Sequence, residues 1–520
     1  MIRTAKQAAE VIQGAAKTNA DEVRAAVLQI LAQSDSPEIP AAVLFEIAEV
    51  VRPWVDFVVF EYRAAYADRA LPFGEQESQR FGKAIRLLDY LEGRYRRVFD
   101  AACRAAPADP AWDLRAHALQ RCMACLLSEM VEHYSGRQTV GAALWKRLQG
   151  HMRSATKEKL ESAQVADSLE PGGTGAPRGA YGRALLLSIA QAGAMAQRNL
   201  EATLALTSMF ADLVDSTMLD EDPARATPAS QAATGGVDIQ RTGRIRVVVA
   251  GGVTHLVNTT RIDAALAAIL QGLAAGQTPE QVGLGHVAKA DLANLLPRLR
   301  RIWCGAGEIR GTQRVASREP VTVAVGFSGI SGFFNPEALK PPPEFEVWDY
   351  RKGSAPGGKS DVRIEMDREI PPERWKVQDQ SAAGMRAQRQ VSGARLRRDQ
   401  LLAVQFESMG RGPGFTLGEL RWLQQHLDAE GGISAGIRFL SAHATVALVR
   451  IHRLQRGQYQ SIGPGFVISD SAHEHLVLPY GWYAPKREAE LWHEEKIVPV
   501  RFTELRGRGA DYEVVAYERL

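Results

Sequence analysis

A chain of 520 residues exceeds what one typical hydrophobic core organises, and leaves room for about three domains of ordinary size. Its 45% apolar and 24% charged residues are those of a soluble globular protein and exclude a mainly disordered chain. With 63 basic against 60 acidic residues the formal net charge is only +3, so no global field draws the chain to nucleic acid or anionic lipid, and any anion site must be local.

The first residues, Met1-Ile2-Arg3-Thr4-Ala5-Lys6, lead into an amphipathic pattern without the apolar core and cleavage site of a secretory signal, so a cytoplasmic location is expected. From about residue 4 to 218 apolar residues return every three or four positions in an Ala-, Leu-, Glu- and Arg-rich background, which predicts a helical bundle. Turn chemistry breaks it at Ser34-Asp35-Ser36-Pro37, Leu71-Pro72-Phe73-Gly74, Ala106-Pro107-Ala108-Asp109-Pro110 and Glu170-Pro171-Gly172-Gly173. The most apolar window, Ala41 to Phe60, carries Glu46, Glu49, Arg52 and Asp56 on one helical face, so it reads as a packed segment and not a membrane span. Pro53 is expected to kink or break it. The four cysteines, Cys103, Cys122, Cys125 and Cys304, suit a reducing compartment. Cys122 and Cys125 form a CxxC inside an apolar helical stretch with no second CxxC, and read as buried thiols.

Asp220 to Gly236, with two prolines and a Gly-Gly pair, reads as a linker. Beyond it Arg244 to Ala250 and Val253 to Val257 are β-prone runs joined by Gly251-Gly252, the chemistry of a tight hairpin. Arg261 to Trp303 returns to helical periodicity, with Leu266, Ile269, Leu270 and Leu273 followed by Leu292, Leu295, Leu296 and Leu299. From Pro320 onward β-branched and aromatic runs are cut by Gly and Pro: Val321 to Val325, Leu401 to Phe406, Gly436 to Leu440, Ala444 to Ile451 and Ile497 to Phe502. Strands this short predict a barrel or sandwich.

Two patterns in this β-rich half carry chemistry. Arg314-Val315-Ala316-Ser317-Arg318 runs directly into Glu319-Pro320 and a Val-alternating strand, and Asp379-Gln380-Ser381-Ala382-Ala383-Gly384 sits between extended segments. Together, over about Arg310 to His452, they resemble the PilZ family, in which an RxxxR segment before the first barrel strand and a [D/N]xSxxG on the barrel surface bind cyclic di-GMP. The resemblance implies Arg314, Arg318, Asp379, Ser381 and Gly384 as ligand-binding residues. Gly418-Glu419-Leu420-Arg421-Trp422 is similar to a Gly-x-x-Arg-Trp element of the family, and Gly436-Ile437-Arg438-Phe439-Leu440 to a closing strand. The stretch between Val325 and Trp375, including Lys340-Pro341-Pro342-Pro343, is longer than the family's usual path.

The residue types suit that ligand on physical grounds. Cyclic di-GMP presents two phosphates and two guanines, and a guanidinium fork binds a phosphate or the O6/N7 edge of guanine with two hydrogen bonds. Asp379 can accept from guanine N1–H and N2–H, Ser381 offers a short hydroxyl, and Gly384 permits close approach. His473-Glu474-His475 is the only close histidine pair and reads as a surface loop, and the Gly-rich run at Gly410-Arg411-Gly412-Pro413-Gly414 lacks the Lys-Ser/Thr of a phosphate loop.

The expected architecture is multidomain α+β: a helical domain over 1–220, a linker and mixed hairpin/helical segment over 221–308, a PilZ-like antiparallel β-barrel over 309–455 and a β-rich extension over 456–520. The expected function is a non-enzymatic cyclic di-GMP receptor whose barrel, on binding, alters how the helical domain meets a protein partner; no cofactor, metal, nucleic acid polymer or membrane insertion is expected. The alternative is a structural interaction protein with a degenerate barrel that does not bind the nucleotide.

Overall fold

The computed structural model describes residues 2–15, 18–170, 172–219, 237–240, 244–250, 253–284, 289–304, 314–330, 371–407, 415–427, 431–441, 444–451, 461–469 and 473–520. The expected linker at Asp220–Gly236, the Gly251-Gly252 turn, the proline-rich stretch before Trp375 and the Gly-rich run at Gly410 lie outside these residues. The chain forms two units, one of Met1–Arg69 with Phe73–Arg310 and one of Ala70–Pro72 with Gly311–Leu520. The first is helical with a small sheet; the second is built of strands. This is a mixed α+β multidomain chain.

In the first unit eight helices follow one another: α1 Ala5–Gln13, α2 Ala20–Gln33, α3 Ala41–Tyr66, α4 Glu75–Arg104, α5 Leu114–Ser135, α6 Ala142–Lys157, α7 Pro177–Ile189 and α8 Gln197–Phe210. Where caps exist they are the expected small polar residues: Asn19 accepts from the Asp21 amide at 3.0 Å to start α2. Helix α3 does not break at Pro53 but continues through it to Tyr66. The proline faces outward, where solvent can meet the backbone carbonyl that it leaves unbonded. None of the helices among the described residues is long and apolar enough to cross a membrane.

Two-residue strands β1 (Val165–Ala166) and β2 (Thr174–Gly175) form a small ribbon. Strands β3 (Asp215–Leu219), β4 (Val237–Gln240), β5 (Arg244–Val248) and β6 (Thr254–Asn258) make an antiparallel sheet in the order β3-β6-β5-β4, which contains the expected β5–β6 hairpin. Helices α9 (Thr260–Ala274) and α10 (Lys289–Trp303) follow. Their apolar residues, including Leu266, Leu292, Leu296, Leu299 and Trp303, join Leu126, Leu185, Leu206 and Phe210 of α5, α7 and α8 in one core, and the Trp303 indole donates to the Leu186 carbonyl at 2.9 Å. A second core collects α1 to α4 around Ile30, Ile47, Val51, Val58, Leu87 and Leu91, and takes in Cys122 and Cys125 of α5, both buried as expected of the CxxC.

A buried ionic network ties these helices together. The fully buried Asp167 carboxylate receives Arg52 on both oxygens, at 2.7 and 2.9 Å, Gln120 at 2.9 Å and Arg121 at 3.1 Å. Arg121 in turn meets Glu49 at 2.9 and 3.0 Å and the Ala166 carbonyl at 2.9 Å. Burial alone would raise the Asp167 carboxyl, but the hydrogen bonds and charge of Arg52, with the charge of Arg121, outweigh it and hold the group below its ordinary value.

The second unit contains two six-stranded barrels. A two-residue strand β7 (Val315–Ala316) precedes β8 (Pro320–Val325), and after the turn of helix Gly326–Ile330 come β9 (Glu373–Ser381), β10 (Gly384–Arg389), β11 (Leu401–Phe406), β12 (Thr416–His426) and β13 (Gly432–Ser441). Pairing runs β9-β8-β11-β12-β13-β10 and closes from β10 back to β9. Period-2 alternation sends Val321, Val323, Trp375, Val377, Met385, Ala387, Leu402, Leu420 and Ile437 to its interior, all buried. Strand β14 (Ala444–Ile451) pairs with β15 (Ser461–Ser469) and β17 (Glu488–His493), and so opens the second barrel, which β16 (Glu474–Pro479), β18 (Lys496–Arg508) and β19 (Tyr512–Arg519) complete. A shared apolar cluster of Ala324, Leu401, Ala403 and Leu417 with Phe466, Ile468, Val477 and Tyr512 joins the barrels.

Removing the Asp167 carboxylate leaves Arg52 buried without its partner. Asp167→Ala is expected to cost the helical unit about 3–5 kcal/mol at neutral pH, read by hydrogen exchange of the α3 and α5 amides. Because the folded carboxyl is held below its ordinary value of 3.8, this contribution is present above that pH and is lost as pH falls through the folded value. The gap between parent and variant should therefore close in acid.

Candidate functional site

The strand register of the first barrel assembles two lateral rows on its outer face. Residues directly opposite one another in an antiparallel pair share a face. One row runs Glu419, Arg438, Gly384, Ser381 across β12, β13, β10 and β9. The neighbouring row runs Trp422, Gly436, Arg386, Asp379 across the same strands and reaches Ala316 on β7. Three of the sequence-derived residues, Asp379, Ser381 and Gly384, lie in these rows.

Two bulges shape the site. On β9 the register with β10 shifts between Arg386 and Ala387, leaving Gln378 as the extra residue beside Asp379. Along the other edge of β9, Ala316 faces Asp379 and Pro320 faces Lys376, so Ser317, Arg318 and Glu319 span a stretch that β9 covers with two residues. The Ser317 amide still donates to Gln378 O at 3.2 Å, which holds the segment to the barrel. Arg314 reaches across β7 to make an ion pair with Asp379, both side chains about a quarter exposed. Arg318 sits at the outside of the bulge, exposed, and makes no hydrogen bond or ion pair among the described residues.

The DxSxxG segment forms the turn between β9 and β10. Ser381 Oγ donates to the Gly384 carbonyl at 3.2 Å, and the Phe439 amide of β13 donates to the Ala383 carbonyl at 3.0 Å. Gly384 has a steric reason: a Cβ there would overlap the Ile437 carbonyl oxygen of β13. Gly436 plays the matching part in the next row, where the Trp422 indole lies across the position that a side chain would fill. The Arg386 guanidinium stands 6.0 Å from the centre of the Trp422 ring. Below them the almost fully buried Glu419 accepts from Arg438 at 2.8 Å and Arg421 at 3.0 Å. Burial first, and the Glu419 carboxylate second, push the Tyr512 phenol well above its ordinary value.

The face thus offers guanidinium groups from Arg314, Arg386 and Arg438, carboxylates at Asp379 and the almost fully buried Glu419, and an indole, a composition that suits a planar, anionic, hydrogen-bonding ligand. Arg386 has no motif of its own in the sequence; only register places it beside Asp379. In the helical unit a cavity of about 230 Å³ is lined by Arg52, Arg63 and Arg183, but these are tied to Asp167, Glu132 and Glu170, so it presents little uncompensated positive charge. In the second barrel Glu474 accepts from Tyr517 and Arg519, both at 2.8 Å, while the rings of His473 and His475 stack.

Fold and site define a chain with a helical region and a strand-rich region of two closed barrels, the first carrying an arginine-rich outer face. Residues 6–221 match the family described as the cyclic-di-GMP receptor FimW, N-terminal domain. The match covers the helices α1 to α8 and not the barrel strands, which carry the RxxxR and DxSxxG patterns. A comparison with curated proteins finds no match.

Because β10 can approach β13 only where residue 384 lacks a side chain, Gly384→Val is expected to cost the barrel about 1–3 kcal/mol. The measurement is urea unfolding followed by tryptophan fluorescence, with Ala382→Val in the exposed turn as the control expected to change little.

Proposed function

We propose that this protein is a cyclic di-GMP receptor of PilZ type, which acts by binding and not by catalysis. What carries this reading is the register that sets the Arg314–Arg318 segment against Asp379, in a chain whose residues 6–221 match the N-terminal domain of a cyclic di-GMP receptor. In the proposed complex Arg314 and Arg318 bind phosphate oxygens or guanine O6 and N7, Asp379 accepts from a guanine N1–H and N2–H, and Ser381 and Gly384 fix the turn against which the nucleotide lies.

In the structure Arg314 and Asp379 are each other's partners. Binding exchanges that pair for two ligand contacts, so both charges stay compensated while the arginine segment changes its anchor. The proposed output is a changed meeting of the helical region with a protein partner. The competing reading is a scaffold in which Arg314–Asp379 is a permanent structural pair and no nucleotide binds.

Calorimetric titration of cyclic di-GMP into the intact chain separates the two. Saturable binding is expected, weakened at least tenfold, or by about 1.4 kcal/mol or more, in the Arg314→Ala/Arg318→Ala double variant. No heat of binding to the folded parent protein would establish the scaffold reading instead.

A further inference from the structure

Helices α4, α5 and α6 bring three side chains of different metal-binding chemistry to one buried point. Glu92, Cys122 and His151 each place a donor atom there, and no two of these atoms are more than 4.8 Å apart. Exposure is 1% for Glu92, 0% for Cys122 and 8% for His151, so the cluster is sealed on nearly all sides. Each ligand comes from a different helix. Helical repeat alone therefore does not explain the convergence.

The two oxygens of Glu92 are divided in a way that suits a ligand. Oε1 is hydrogen-bonded to His151 Nε2 at 2.7 Å, the contact that an ion would replace, while Oε2 accepts from Arg147 at 2.9 Å. Arg147 also meets Asp89 at 2.9 Å and Glu129 at 3.4 Å, so its charge is compensated without help from Oε1. It acts as an outer partner that fixes the carboxylate plane. The Cys122 sulfur, 3.9 Å from the Glu92 carbonyl oxygen, has only a weak contact to give up.

We propose that Glu92, Cys122 and His151 form a zinc site that staples α4, α5 and α6 together. One thiolate, one carboxylate and one neutral imidazole balance the charge of a divalent ion, and this mixture of S, O and N donors selects zinc over calcium or magnesium. Tetrahedral bonds of about 2.0–2.3 Å set neighbouring donors about 3.3–3.8 Å apart, so the most distant donors close in, while the Glu92–His151 pair, 2.7 Å apart, opens as the ion replaces its hydrogen bond. Binding releases the thiol proton to solvent, leaves the proton of the neutral imidazole on Nδ1 so that Nε2 is free to ligate, and water fills the fourth position. Cys125, on the same helix but outside the cluster, takes no part.

The test uses the full chain, loaded with zinc or cobalt(II) and dialysed against metal-free buffer. One equivalent of retained zinc is expected, together with a thiolate-to-cobalt charge-transfer band in the near ultraviolet. Cys122→Ala and His151→Ala should each abolish both, and Cys125→Ala should keep both. Far-ultraviolet circular dichroism reports whether the variants fold; if they do not, the cobalt band of the parent protein decides. Absence of stoichiometric zinc or of the thiolate band in the parent, or zinc retained equally by a folded Cys122→Ala, overturns the proposal.

Discussion

The first barrel closes through one steric constraint: strand β10 must approach β13 so nearly at Gly384 that no side chain fits between them. From that contact follows the position of the β9–β10 turn, clamped further by the Phe439 amide on the Ala383 carbonyl. The turn fixes where Ser381 and Asp379 face outward, and the outward face of β9 fixes what the arginine segment can reach. A glycine that looks like a flexible loop residue in the sequence is thus the point about which a charged surface is registered.

The same economy appears in the helical unit, where one carboxylate organises its surroundings. Asp167 follows the short strand β1 and gathers Arg52 from α3 with Gln120 and Arg121 from α5. Buried ion pairs gain little over apolar packing, yet a partner missing from one is costly, so such a network specifies one arrangement of helices more than it adds stability. Apolar cores supply the bulk of the burial around it, and the ionic network selects which packing they adopt.

The helices and their breaks were largely legible because their signals are local: periodicity, small polar caps and turn residues all act within a few positions. Pro53 shows the limit of that logic, since its cost depends on whether the carbonyl it orphans can reach solvent, a matter of which way the helix faces. Strand propensity marked β8, β11 and β14 and parts of β13 and β18, but left out others, among them β9, β12 and β15, and did not show which strand pairs with which. Ala444–Ile451 reads like its neighbours and yet pairs with Ser461–Ser469 and Glu488–His493. The motif residues of the outer face stood out because their spacing is short. Arg386 beside Asp379, and Gly436 beneath Trp422, depend on register across four strands and leave no trace in spacing. Glu92, Cys122 and His151 were hidden for the same reason: three helices had to pack before they met.

The arginine segment is fastened lightly. Strand β7 contributes two residue pairs, Val315 is 65% exposed and adds no apolar anchor, and the Arg314–Asp379 pair is open to solvent screening. A few net hydrogen bonds of about 1 kcal/mol each hold it, far fewer than close the barrel behind it. Lifting it leaves all six closing strands in place. The closed barrel is therefore a support against which the segment rests by few contacts, so whatever loosens the segment leaves the pairing of the barrel strands untouched.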